Sequence, residues 1–174
     1  LSFNGANLTN ADFRRLRLFE ELDETSLVRH DFRNIVGAPA ALPSGYIMAN
    51  NIIMGPHLNF EGVDLTDINV AEDYPEFVSL EKSSLKDANL SGSNLSGFNL
   101  KGTDFSGTNL SGTNLSGADL IGVFLSSTNI SGTNLSGADL SGADLSRANL
   151  FKANLKNSNL DEAILYKANL YGVN

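Results

Sequence analysis

A leucine or phenylalanine returns every fifth residue from Leu85 to Leu170, Ile130 being the one exception. The stretch from Ser91 to Leu120 reads SGSNL SGFNL KGTDF SGTNL SGTNL SGADL. A period of five matches neither the helical repeat of 3.6 nor the strand repeat of two. A chain that keeps this beat has to wind into a solenoid whose rungs bury one another. The beat is also present at Phe3, Leu8, Phe13 and Leu18, and again at Phe60, Leu65 and Val70, with Pro75 at the central position before Leu80.

The number of pentapeptides per turn is written in the residue that precedes each central one. Sorted by twenty, one column is Asn89, Asn109, Asn129, Asn149, Asn169 and the next is Asn94, Asn114, Asn134, Asn154, Asn174. Every departure falls in the other two columns: Asp104, Phe124, Asp144, Ile164, and Asn99, Asp119, Asp139, Asn159. Sorting by ten or fifteen mixes the classes, so the sequence predicts four pentapeptides per coil. Two places before the central residue stands a small one, such as Ala88, Thr103, Ala118, Ala138 or Ser158. A large and a small residue of this kind fill a narrow interior together without overpacking it. The glycine two places after the central residue suits a corner of positive φ.

Between the early beat and the late one the pattern is lost. Phe19–Asp31 is charged and reads as a surface connection, and residues 34–58 hold three of the four prolines. Within them Tyr46–Ala49 and Ile52–Met54 flank Asn50-Asn51, a two-residue turn between short strands. The expected organisation is a pentapeptide-like coil over 1–20, an irregular insertion with a β-hairpin over 21–58, and the repeat proper over 59–174.

These motifs are similar to those of the pentapeptide-repeat family, over Leu80–Asn174, Phe60–Val70 and, less closely, residues 1–20. The resemblance implies an all-β, right-handed, four-sided parallel β-helix with the central and small residues inward. Leu42-Pro43-Ser44-Gly45-Tyr46 and Met54-Gly55-Pro56 also resemble an insertion found between arrays in large bacterial members. Phe98, where a small residue belongs, is expected to force a bulge or fill a widened rung.

Charge narrows the function classes. The net charge is −8, of which residues 1–80 carry −7 (five Arg, twelve Asp/Glu) and residues 81–174 carry −1 (seven Lys/Arg, eight Asp/Glu). No basic stripe for nucleic acid exists, and no apolar run approaches the roughly 20 residues of a membrane span. The chain has no cysteine, hence no disulfide and no thiolate metal site. His30 and His57 lie in irregular segments, read as surface residues, without partners spaced for ligation or catalysis. No cofactor, metal or small-molecule ligand is expected, and no enzymatic activity.

The expected role is a structural or protein-interaction solenoid. The text breaks off within a repeat at Tyr171-Gly172-Val173-Asn174, which predicts a piece of a longer array or end-to-end self-association into a fibre. Candidate interface residues near the C-terminus are the outward Phe124, Phe151, Ile164, Tyr166 and Tyr171, with Leu170 at the leucine-lined end. Two alternatives stay open. The family resemblance implies one, a DNA-mimicking regulator that binds DNA gyrase. The other is a flat-surface binder of ice or polysaccharide, although Thr103, Thr108, Thr113, Thr128 and Thr133 are expected to point inward.

Overall fold

A computed structural model describes residues 7, 42, 46–49, 52–58, 60–66, 68–73 and 79–174. The proposed coil over 1–20 and the connection at Phe19–Asp31 otherwise lie outside the described residues.

From Ser79 onward the chain winds with a repeat of twenty. Parallel bridges join Ser84 to Asp104, Asn89 to Asn109, Asn94 to Asn114 and Asn99 to Asp119, and continue down four columns as far as Ile164 and Asn169. Each coil therefore has four sides, labelled here by column: side one (Ser84 to Ile164), side two (Asp64 to Asn169), side three (Asn94 to Asn154) and side four (Ser79 to Asn159). The backbone is satisfied in both axial directions. The Leu110 N–H donates to the Asn129 carbonyl at 2.8 Å, and the Asn129 N–H donates back to the Thr108 carbonyl at 3.2 Å. Corners close locally, as where the Ala118 N–H donates to the Leu115 carbonyl at 3.2 Å.

The interior follows from the two inward positions. Leu85 through Leu150 are buried at every central position, with Ala88, Ala118, Ala138, Ala143 and Ala148 among the small residues beside them. The inward threonines are buried without being orphaned. The hydroxyls of Thr103, Thr113, Thr128 and Thr133 donate to the carbonyls of Leu80, Leu90, Phe105 and Leu110, one coil earlier. Such a bond removes the cost of burying a lone hydroxyl. Phe98 is buried too, yet the bridges on both sides of it, Ser79–Asn99 and Asn99–Asp119, are intact. It fills the rung without a bulge.

The coil above differs. Asp64 pairs with Asn89, an offset of 25, whereas Ser79 pairs with Asn99, an offset of 20. Eight residues (71–78) separate Val70 from Ser79, where three (96–98) separate Leu95 from Asn99. The five extra residues equal one repeat; Pro75, the central position that the beat gives in sequence, lies outside the described residues. A one-turn helix α1 (Val70–Asp73) opens this stretch, with Val70 fully buried.

Above that coil stands a two-stranded antiparallel hairpin of β1 (Ile47–Ala49) and β2 (Ile52–Met54), with Ala49 opposite Ile52 and Ile47 opposite Met54. All three β2 residues are buried, and they belong to the same core cluster as the leucines of the shaft. The Ser83 hydroxyl donates to the Gly55 carbonyl at 3.1 Å and accepts from the Leu58 N–H at 3.2 Å, tying the two parts together. Tyr46 lies against Gly55, and its hydroxyl donates to the Pro56 carbonyl at 3.2 Å. Burial raises the Tyr46 pKa well above the ordinary tyrosine value.

Candidate functional site

The outward face of each side is governed by the residue before the central one, and on sides two and three that residue does two jobs. Its side-chain oxygen accepts the N–H two residues on: Ser111 to Asn109, Ser131 to Asn129 and Ser136 to Asn134, each at 3.2 or 3.3 Å. Its side-chain nitrogen donates to the equivalent oxygen one coil earlier. Side two runs Asn169 to Asn149 to Asn129 to Asn109 to Asn89 at 2.9 to 3.3 Å. Side three runs Asn154 to Asn134 to Asn114 to Asn94 at 3.0 to 3.2 Å.

Aspartate performs only the first job. Asp104, Asp119, Asp139 and Asp144 accept from the N–H of Ser106, Ile121, Ser141 and Ser146. Asp139 also accepts from Asn159 at 3.1 Å, but a carboxylate has nothing to donate upward. That is the physical reason sides two and three keep Asn from Asn89 and Asn94 onward while the other two tolerate replacement; Asp64, at the head of side two, only accepts. Bonds from the Ser141 backbone and hydroxyl, and then from Asn159, hold the exposed Asp139 carboxyl below its ordinary value. Thr66 does the same for Asp64, through its hydroxyl and then its N–H. Replacing Asn129 by Asp is accordingly expected to keep the turn but cost about 1 kcal/mol through the lost donor. Asn129→Ala loses all three bonds, the one accepted from Asn149 included, and should cost clearly more in urea titration; equal losses would refute the two-job account.

The corners divide into two populations. Between Gly92 and Gly142 every corner position of positive φ is glycine except Ser127. After it the next five are Arg147, Lys152, Asn157, Glu162 and Lys167, at φ between 56° and 61°. A residue with a Cβ adopts this region at a cost of about 1–2 kcal/mol. In the sequence Arg147 and Lys167 read as stacked, solvent-facing charges, and positive φ is expected only where glycine stands; the corners show it at these five residues as well. The only signal was the replacement of Gly itself.

The six candidate interface residues are the large exposed apolar ones among the described residues: Phe124, Phe151, Ile164, Tyr166, Leu170 and Tyr171. They do not form one cluster. Phe124 and Ile164 share the column of side one with Asp144 between them. Phe151 and Tyr171 occupy successive coils at the corner after side two, their rings stacked at 5.9 Å and 6°. Tyr166 occupies the corner before side two. Lys152 and Lys167 each set their ammonium 5.1 Å from a ring centroid, over Phe151 and Tyr166.

The axial repeat of twenty is the pentapeptide signature, and the family model for pentapeptide repeats matches residues 83–120, 108–147 and 143–174. The chain belongs to the pentapeptide-repeat family. Members of this family form right-handed quadrilateral β-helices and generally serve as structural or interaction solenoids. The match to this pentapeptide-repeat chain begins at Ser83, although the bridges carry the coil up to Asp64.

Among solved structures, the pentapeptide repeat protein Rfr23 from the cyanobacterium Cyanothece is 31% identical, covering 67% of this chain and 84% of that one, with a TM-score of 0.50. A pentapeptide repeat protein from the Arabidopsis thaliana thylakoid lumen is 34% identical over 49% of this chain and 63% of that one, TM-score 0.34. HetL, involved in heterocyst differentiation regulation in the cyanobacterium Nostoc, is 26% identical over 99% and 84%, TM-score 0.32. No curated protein matches the chain significantly.

Among the described residues, no group of three or more His, Asp or Glu side chains is placed to hold a metal ion, and no helix is long and apolar enough to cross a membrane. His57 is partly buried rather than a plain surface residue. Burial and, next, Lys82 lower its pKa, with Glu81 opposing. His30 lies outside the described residues.

Proposed function

We propose that this pentapeptide-repeat chain is a non-enzymatic protein-interaction solenoid that self-associates end to end. The observation that carries the reading is the distribution of exposed apolar surface. Large apolar side chains reach solvent at Phe124 and beyond, and Tyr171, at 74% exposure, is the most open of them. Exposed aromatic side chains, Phe151 and Tyr171 stacked among them, on an otherwise amide-covered shaft are what a protein interface offers. Leu155, Leu160, Leu165 and Leu170 are half-buried or exposed. In the proposal a second copy covers them, in a contact that does not close on itself.

The test is a concentration series by light scattering with negative-stain microscopy. The expected result is a mass that grows past two chains, with elongated particles, and that falls back in Leu170→Asp. A mass confined to one or two chains at every concentration would sink the end-to-end reading.

A further inference from the structure

Side two is electrically lopsided along its length. At its N-terminal end Asp64 stands in the column, with Glu61 and Asp87 at successive rungs of the preceding corner, all exposed. Lys86 lies 3.9 Å from Glu61 and offsets part of that charge. The middle rungs, through Asn109 and Asn129 with corner residues Ser106, Ser111, Ser126 and Ser131, are uncharged. At the C-terminal end the flanking corners carry Arg147, Lys152 and Lys167, set beside Phe151, Tyr166 and Tyr171. The two ends are five rungs apart, roughly 24 Å at about 4.8 Å per rung. They cannot meet within one molecule.

They can meet between two. We infer that a second copy packs antiparallel against side two, bringing the acidic end of each copy onto the basic, aromatic end of the other. A two-fold axis in the plane of the contact, perpendicular to both shafts, puts each corner column opposite itself in reverse order. The rung of Asp64 then faces that of Asn169, Asn89 faces Asn149, and Asn109 faces Asn129. Glu61 comes opposite Tyr166, one residue from Lys167 on the same rung, and Asp87 comes opposite Arg147. The pairing satisfies both ends at once, which an unrelated acidic partner would do for one end only.

The backbone adds an independent reason to assign the cations a task. Arg147, Lys152 and Lys167 occupy left-handed corners where most earlier coils use glycine. Holding a long cation in that conformation works against stability, and such strain is characteristic of functional positions. Asn157 and Glu162 share the strain but stand on the other two corners. This contact goes beyond the end-to-end reading, since side two stays open when coils stack on coils.

The absence of cysteine makes the test direct. Ser111→Cys and Ser131→Cys are each introduced alone, mixed in equal amounts and oxidised with glutathione disulfide. Because the rungs of Asn109 and Asn129 face each other, the mixture should give a cross-linked dimer in high yield. Ser141→Cys, at a corner away from side two, should give little. Charge reversal supplies the second arm. One variant carries R147E, K152E and K167E; the other carries E61K, D64K and D87K.

Each variant alone should dimerise at least about tenfold more weakly than the parent, and a mixture of the two should recover dimerisation. Lys152→Gly with Lys167→Gly should raise the melting temperature while weakening the dimer, a divergence that a merely structural role would not produce. Cross-linking no better than the Ser141→Cys control, or no recovery on mixing, would overturn the antiparallel pair. Growth past two chains in scattering would still report end-to-end contact separately, so the two proposals fail independently.

Discussion

Leu120→Ala is expected to lower the unfolding free energy by about 3 kcal/mol, within the usual range for truncating a buried leucine. Leu120 is fully buried at a central position of side four, with Leu100 and Leu140 in the same column one coil above and below. The interior of a solenoid cannot collapse from one side onto a cavity, because rungs on both faces hold the spacing. The stability of such a shaft is close to a sum of nearest-neighbour terms. The damage should therefore also weaken coupling between the coils on either side, and amide exchange is expected to quicken next to Leu120 before it does near Leu90 or Leu150. Leu170→Ala, at a position 45% exposed, is the control and should cost much less. Similar losses at the two positions in guanidinium titration would contradict a core that is filled along the shaft.

Gly55→Ala should have an effect of comparable size by a different route. A Cβ at Gly55 would meet the ring of Tyr46, its δ1 and ε1 carbons first. The ring has little freedom to retreat, since its hydroxyl is tied to the Pro56 carbonyl one residue on. Overpacking of this kind costs about 1–3 kcal/mol and sometimes more. The Gly55 carbonyl also accepts from buried Ser83, so a shift of the backbone would disturb the join between hairpin and shaft. Tyr46→Ala in the same background should relieve the clash, making the double variant less damaged than the sum of the singles. Strict additivity would show that the two residues do not touch.

Much of this was legible from residues alone, and the reasons are specific. The twenty-residue coil can be read because the ladder demands Asn in two columns, and a carboxylate cannot replace an amide donor. Asn50-Asn51 between two apolar triplets points to the hairpin of Ile47–Ala49 and Ile52–Met54, now seen with Ala49 opposite Ile52. The exposure of Phe124, Phe151, Ile164, Tyr166 and Tyr171 follows from counting positions around the coil, whereas Leu170 holds an inward position and is exposed because no described coil covers it.

What was not legible has an equally physical cause. The five residues gained between Val70 and Ser79 equal one repeat, so they leave the frame without breaking the beat. Of the two outcomes open for Phe98, a bulge or a filled rung, the structure shows the second, and the choice depends on ring volume and rung width, which are tertiary matters. The positive φ of the cation-bearing corners was not legible because left-handed backbone is forced there by the coil rather than chosen by the residue.

The direction of the hydrogen bonds has a consequence for how the molecule is made. The asparagine amides of sides two and three donate to an oxygen one coil nearer the N-terminus, and the inward threonine hydroxyls do the same. A newly synthesised stretch of twenty residues thus finds its side-chain acceptors already in place, while the N–H groups of its central residues wait for the carbonyls of the next coil. At about 5–20 residues per second, a ribosome delivers one coil every one to four seconds, far longer than short-range pairing takes. The shaft can lengthen in step with its own synthesis, and the asparagine ladder serves each arriving coil as a guide rail.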